Sequence, residues 1–225
     1  MTTRPAALVF DAYGTLFDVH SVVALCDELW PGKGGQLSQL WRTKQLEHTW
    51  LRSLMGRYED FAHVTEAALR YACAALALPY DDAKRSRLMR AYLHLATFPE
   101  VKDALARLRG IELAILSNGA PAMLQDLVTN AGLSVAIPRV LSVDEVGIYK
   151  PSPRVYQLAV DRLGLPAKAI GFVSSNGWDA AGAKAFGFRT FWVNRAGAPV
   201  DPLGAAPDHV IGSLADLPAL VPPRA

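Results

Sequence analysis

Apolar residues collect in short, mostly near-continuous runs at 7–10, 112–116, 170–173 and 190–193, with weaker runs at 140–143 and 209–211. A run of this length without polar alternation suits a parallel strand, because both of its faces are covered. Between the later runs the spacing changes to the helical repeat, at 101–109, 122–131, 154–163 and 180–186. Strand and helix in alternation predict a doubly wound parallel sheet.

The first two runs are far apart, and the segment between them, 20–96, carries no strand pattern. It reads as helices at 21–30, 36–55, 61–76 and 81–95. Leu40, Gln45, Trp50 and their neighbours form one amphipathic face, with Lys and Arg on the other side. The predicted architecture is therefore α/β. A Rossmann-like doubly wound core of residues 1–19 and 97–225 is interrupted, directly after its first strand, by a helical cap of residues 20–96. No internal repeat is visible, and Pro222-Pro223 reads as a simple tail.

Charge and composition narrow the function classes. The net charge is +2, with acids and bases interspersed, which gives no electrostatic case for nucleic acid. No apolar run approaches the ~20 residues of a membrane helix, and residues 1–5 lack the apolar stretch of a signal peptide. Cys26 and Cys73 lie in apolar, helix-like surroundings and read as buried thiols of a reducing compartment rather than a bridge. These features predict a cytoplasmic protein. His20, His48, His63, His94 and His209 are scattered, without metal-ligand spacing.

In an open α/β sheet, ligands bind beyond the carboxyl ends of the strands. That rule selects Asp11, Ser117-Asn118, Lys150 and the stretch from Ser174 to Asp179, four polar clusters just past strands or in the following loop. Asp11 sits between Leu8-Val9-Phe10 and Ala12-Tyr13-Gly14-Thr15, where a carboxylate can be a nucleophile or a turn cap. Ser117-Asn118-Gly119 can hold an anionic oxygen, or cap the helix starting near Pro121. Lys150, in Tyr-Lys-Pro, can pair with carboxylates in the crevice or lie on the surface. Asp179 falls in the first turn of a small-residue helix, where the dipole favours a carboxylate whether or not it has chemistry to do. Asp18 reads as the cap of the first inserted helix, and Asp144 and Glu145 as turn acids.

The run Phe10-Asp11-Ala12-Tyr13-Gly14-Thr15-Leu16-Phe17-Asp18 resembles the first motif of the haloacid dehalogenase superfamily. Ser117, Lys150 and Asp179 fall where its remaining motifs fall. Leu40-Trp41-Arg42-Thr43-Lys44-Gln45-Leu46-Glu47 is similar to the arginine-bearing lid helix of the L-2-haloacid dehalogenases. Val173-Ser174-Ser175-Asn176-Gly177-Trp178-Asp179 is similar to their last motif, and the likeness runs from about Leu8 to Arg195.

The resemblance implies hydrolytic dehalogenation of short L-2-haloalkanoic acids to D-2-hydroxy acids, through an aspartyl ester, without metal or cofactor. It implies Asp11 as nucleophile and Asp179 as base, with Lys150, Thr15, Ser174, Asn176 and Tyr156 in support. Ser117 would bind the substrate carboxylate, and Arg42, Asn118 and Trp178 would receive the halide. Tyr13, Leu46 and Phe61, with Trp178, would line the substrate side chain, although core packing alone would also account for these apolar residues. A homodimer is implied too, with Leu51 and Leu54 available for an interface.

The alternative within the superfamily is a metal-dependent phosphatase or phosphonatase, and outside it a non-catalytic binding module. Phosphatase relatives carry a second Asp two residues after the nucleophile and a further carboxylate in the last motif. Tyr13 and Ser175 stand there instead. A hard divalent cation wants several oxygen ligands, whereas a departing halide needs neither a metal nor a proton.

Overall fold

The computed structural model describes residues 4–222. Met1–Thr3 and residues 223–225, which include Pro223 of the expected tail, lie outside the described residues. The first strand, β1 (Ala7–Phe10), is buried along its whole length. Four helices follow it: α1 (Val23–Leu29), α2 (Gly34–Leu54), α3 (Phe61–Ala75) and α4 (Asp82–Ala91). Alternation then sets in with α5 (Val101–Arg107), β2 (Glu112–Ser117), α6 (Pro121–Asn130), β3 (Arg139–Ser142), α7 (Pro153–Leu163), β4 (Ile170–Ser174), α8 (Gly177–Phe186), β5 (Arg189–Val193), β6 (His209–Ile211) and α9 (Leu217–Leu220).

All six strands are parallel, in the order β3-β2-β1-β4-β5-β6. β1 is central: Ala7 pairs with Glu112 of β2 on one side and with Ile170 of β4 on the other. The chain winds outward through β2 and β3 and returns on the far side of β1 as β4, so the direction of winding reverses between β1 and β4. A crevice opens at such a reversal, beyond the carboxyl ends of the strands. The loops after β1 and β4 flank it.

The α/β architecture and the helices that follow the first strand agree with the sequence reading, as does the placing of Asp144 and Glu145 in a turn, and two local expectations need correction. Asp18 does not cap α1; its carboxylate takes the N–H of His20, and the N-cap is Val22, with no side-chain hydrogen bond. The Ser117-Asn118-Gly119 turn does not cap α6, whose N-cap is Ala120, with Pro121 opening the helix. Asp144 and Glu145 lie on a 3-10 turn, where Tyr58 OH donates to Asp144 and Arg162 pairs with Glu145.

The long helix α2 buries Leu37, Ser38, Trp41, Gln45 and Thr49. Leu37, Trp41, Gln45 and Thr49 recur every four residues, so they form one stripe. α3 meets it with Phe61, Val64, Thr65, Ala68, Leu69 and Ala72, of which Thr65, Ala68 and Ala72 are small and allow close approach. One continuous hydrophobic cluster runs from Leu8, Val9 and Phe10 through Tyr13 and Phe17 to Leu37, Trp41 and Phe61. Sheet and inserted helices thus share a core.

Candidate active site

Asp11 is the first residue beyond β1. Its N–H still donates to Val173 O at 2.9 Å, so the sheet ladder fixes its backbone while its side chain points past the strand end. Asp11 is 5% exposed. Oδ1 accepts from Lys150 Nζ (3.1 Å), and Oδ2 from Thr15 Oγ1 (2.9 Å) and Asn176 Nδ2 (2.9 Å). Thr15 Oγ1 in turn accepts the Ser175 N–H at 2.8 Å, tying the loop after β1 to the loop after β4. Ser174 Oγ accepts the Asn176 N–H (3.1 Å), so Ser174 and Asn176 together orient Asp11.

Lys150 precedes α7, and its peptide bond to Pro151 is cis. The side chain is fully buried, and Nζ bridges Asp11 and Asp179 Oδ2 (2.9 Å). Its backbone N–H donates to Asn118 Oδ1 at 3.0 Å, which turns the Asn118 NH₂ group away from the loop. Asp179, in the first turn of α8, accepts at Oδ1 from Tyr156 OH (2.8 Å). This geometry depends on Gly182. A Cβ there would lie 2.6 Å from Tyr156 OH and 2.6 Å from Pro151 Cβ, so only glycine lets α8 sit this close to α7.

Two carboxylates therefore share one ammonium in a nearly dry site. Burial disfavours the charged lysine, but facing both Asp11 and Asp179 it is held protonated, above its ordinary range. Asp179 carries the deficit. Burial pushes its carboxyl up to about 6; the Lys150 charge opposes that rise and the Asp11 charge adds to it. Tyr156 is held well above its usual range by burial and by Asp179, and serves as a donor.

Ser117 ends β2. Its Oγ accepts the Gly119 N–H (3.1 Å), and Ser142 Oγ pins the Gly119 carbonyl from β3 (2.7 Å). The Tyr13 ring lies against this turn. A Cβ on Gly119 would come within 2.8 Å of it. The ring packs on Phe61 (5.0 Å between centroids) and Tyr92 (6.1 Å), and the buried Tyr13 hydroxyl has no hydrogen-bond partner among the described residues.

From α2, Arg42 reaches the loop after β1, donating from Nη2 to Tyr13 O (3.2 Å) and from Nη1 to Gln45 Oε1 (2.7 Å). Trp178, half-buried at the start of α8, meets Trp50 of α2 edge-to-face at 5.4 Å. Leu46 is half-buried one position past Gln45.

The residues predicted for the site thus lie at the strand ends, in the loops beyond them or on the helices α2, α3, α7 and α8. Two further residues hold the same region. Arg195, after β5, donates from Nη1 to Ser175 Oγ (2.7 Å) and Gly14 O (3.3 Å), and from Nη2 to Thr15 O (3.0 Å). Its other partner is Glu100 (2.8 Å), and Phe98 lies under it. Nothing local marks Arg195, because its partners are distant in sequence. Gln45 had a visible signal, an amide four residues after Trp41 on the helical stripe that the structure shows fully buried.

A model of haloacid dehalogenase-like hydrolases matches residues 5–187. The chain is 55% identical over 209 residues to an (S)-2-haloacid dehalogenase of Pseudomonas sp. (strain YL), covering 92% of this chain and 90% of that relative. Among solved structures it is similar to an L-2-haloacid dehalogenase, RSc1362 (50% identity, TM-score 0.95, 97% of this chain and 99% of the other). It is also similar to the L-2-haloacid dehalogenase of Xanthobacter autotrophicus with chloropropionic acid covalently bound (43% identity, TM-score 0.91, 98% of this chain and 100% of the other).

Proposed function

The chain belongs to the haloacid dehalogenase-like hydrolases, and from that premise we propose that it hydrolyses short L-2-haloalkanoic acids to D-2-hydroxy acids through an ester on Asp11. The observation that carries this reading is the buried cluster of Asp11, Lys150 and Asp179, two carboxylates joined by one ammonium at the sheet's crevice.

In the first step an Asp11 oxygen attacks C2. The O–C2 bond forms as C2–halogen breaks, the halide leaves with the bonding pair, and C2 inverts. Oδ2 accepts two hydrogen bonds and Oδ1 one, from Lys150, so Oδ1 keeps the more open side for the approach to C2. Most of the acceleration is orientation: well-placed intramolecular groups reach effective molarities of about 10⁵ M or more. The Ser117 hydroxyl accepts from Gly119 and keeps its own proton for the substrate carboxylate. Arg42, the Asn118 NH₂ group and Trp178 receive the halide; an always-charged guanidinium suits a departing anion. Tyr13, Leu46, Phe61 and Trp178 enclose the substrate side chain.

In the second step water attacks the Asp11 acyl carbon and Asp179 takes one of its protons. The acyl carbon–alkyl oxygen bond then breaks, and the alkyl oxygen takes up one of the two water protons to become the hydroxyl of the product. The other proton passes to solvent as Asp11 and Asp179 return to carboxylates. When the water attacks, esterification has already neutralised Asp11. One of the charges that raised the Asp179 carboxyl is gone, and Lys150 faces Asp179 alone. The first step thus leaves Asp179 ionised and ready to act as base.

We place the site between a core of residues 1–19 and 97–225 and a cap of residues 20–96. A homodimer is supported by Leu51, Leu54 and Met55, exposed on and just after α2. A cytoplasmic location is supported by the free thiols of Cys26 and Cys73; among the described residues no helix is long and apolar enough to cross a membrane.

The test is halide release from L-2-chloropropionate with and without a chelator, followed by one turnover with excess enzyme in heavy-oxygen water. Chelator-resistant release with the isotope in the Asp11 peptide is the expected result. Isotope only in the released alcohol removes the ester scheme.

A further inference from the structure

Arg42 is placed above as the group that receives the halide, and its own position has a physical cause further inside the helices. Gln45, one turn along α2, is fully buried, and its Oε1 accepts from Arg42 Nη1 at 2.7 Å. An amide can face either way, and here proton bookkeeping decides which. Thr65 Oγ1 lies 2.6 Å from Phe61 O, so its single proton is committed to that carbonyl. Towards Gln45, at 2.7 Å, the hydroxyl can only accept. The Gln45 NH₂ must therefore face Thr65, and Oε1 must face the guanidinium. Tyr92 OH, buried alongside, points its proton to the same Oε1 at 3.4 Å. Trp41 Nε1 fixes the Thr65 carbonyl (2.8 Å), holding this turn of α3 against α2.

We infer that Gln45, oriented by Thr65 and Tyr92, is a positioning residue that holds Arg42 in the geometry needed to receive the leaving halide. The inference rests on the halide role of Arg42. Gln45 fixes one edge of the guanidinium and the Tyr13 carbonyl a second, so the remaining N–H groups have a defined direction before substrate arrives. A buried acceptor that holds a cation costs most when it is removed and the cation is left without it.

The test is a double-mutant cycle on the rate of halide release in the first turnover, with chloro- and bromopropionate. Gln45→Leu should slow release from the chloro substrate on the order of tenfold, the range of one hydrogen bond to a charged group. The loss should be smaller for bromide, the better leaving group, and ester hydrolysis should be nearly untouched. In an Arg42→Ala background the same substitution should cost nothing more, because interacting residues are non-additive. An equal cost in both backgrounds would reduce Gln45 to support of helix packing and overturn the inference. If Arg42→Ala leaves the chloride-to-bromide ratio unchanged, the halide role of Arg42 fails first, and that outcome is distinguishable. Thr65→Val, nearly isosteric, frees the amide to flip and should show part of the same coupled loss, so the question stays decidable if Gln45→Leu does not fold.

Discussion

Lys150 Nζ donates to Asp179 Oδ2 at 2.9 Å between two side chains that are both fully buried. A pair so enclosed is governed by charge balance, and Asp11 tips that balance, because it places a second carboxylate on the same ammonium. The acidic side of the reaction follows from this. Asp179, raised to about 6 chiefly by burial, is protonated as pH falls through that value and can no longer take a proton from water. Ester hydrolysis should be lost on the acid side. In the esterified enzyme Asp11 is neutral, so the acidic limb of ester hydrolysis should lie below that of Asp179 in the free enzyme. Measured pH profiles of single-turnover hydrolysis, against the Asp179 titration of free enzyme, check the order. For stability the sign runs the other way. A carboxyl raised in the native state contributes fully below its unfolded value and loses that contribution as pH rises through about 6.

Asp179→Asn should separate the two steps. Asp11 keeps Lys150, Thr15 and Asn176, so esterification proceeds, while the water has no base. Rapid-quench assays should count one halide per active site and then arrest, and the Asp11 peptide should carry the added acyl mass. Steady turnover would mean that another group takes the proton.

Gly182→Ala tests how closely α8 must approach α7. The added methyl meets Tyr156 OH and Pro151 at 2.6 Å, so Tyr156 has to leave Asp179 or the helix has to shift. A loss of about 1–3 kcal/mol in denaturant titration is expected, the usual cost of overpacking, together with slower ester hydrolysis. Gly35→Ala is the contrast. Gly35 is exposed in the first turn of α2 and a Cβ there meets nothing within 4 Å. The same substitution should stabilise that site by about 0.4–1 kcal/mol.

Arg195→Ala should release the Gly14 and Thr15 carbonyls and Ser175 together, leaving Glu100 without its partner. The expected loss of stability is about 1–3 kcal/mol, with kcat falling more than KM rises, because the loosened loops carry Thr15 and Asn176 rather than Ser117. Arg195→Lys should recover the pairing with Glu100 but not the forked contact to three oxygens.

The strands were legible because a parallel strand covered on both faces reads as a near-continuous apolar run, as β1 does throughout and β4 and β5 do over most of their length. Asp11, Lys150 and Asp179 were legible from the strand-end rule combined with their residue types. Asp18 misled because α1 begins only at Val23, after a turn that Asp18 itself holds. Arg195 was invisible because its meaning lies in carbonyls of the loop after β1, brought near only once β5 has joined the sheet. Gln45 sat in plain view on the buried stripe of α2, but only the proton of Thr65 tells which way its amide faces.

The two strands that flank β1 are β2 and β4, both encoded far downstream of it. The segment bearing Asp11 leaves the ribosome well before either of these neighbours and finds the second only once residues 170–174 have emerged. A nascent chain stopped before Ile170 would have Asp11 but neither β4 nor Asp179, and so no chemistry. Such non-local pairing is slow to form, and it builds a delay into synthesis between the making of Asp11 and the assembly of the groups that surround it.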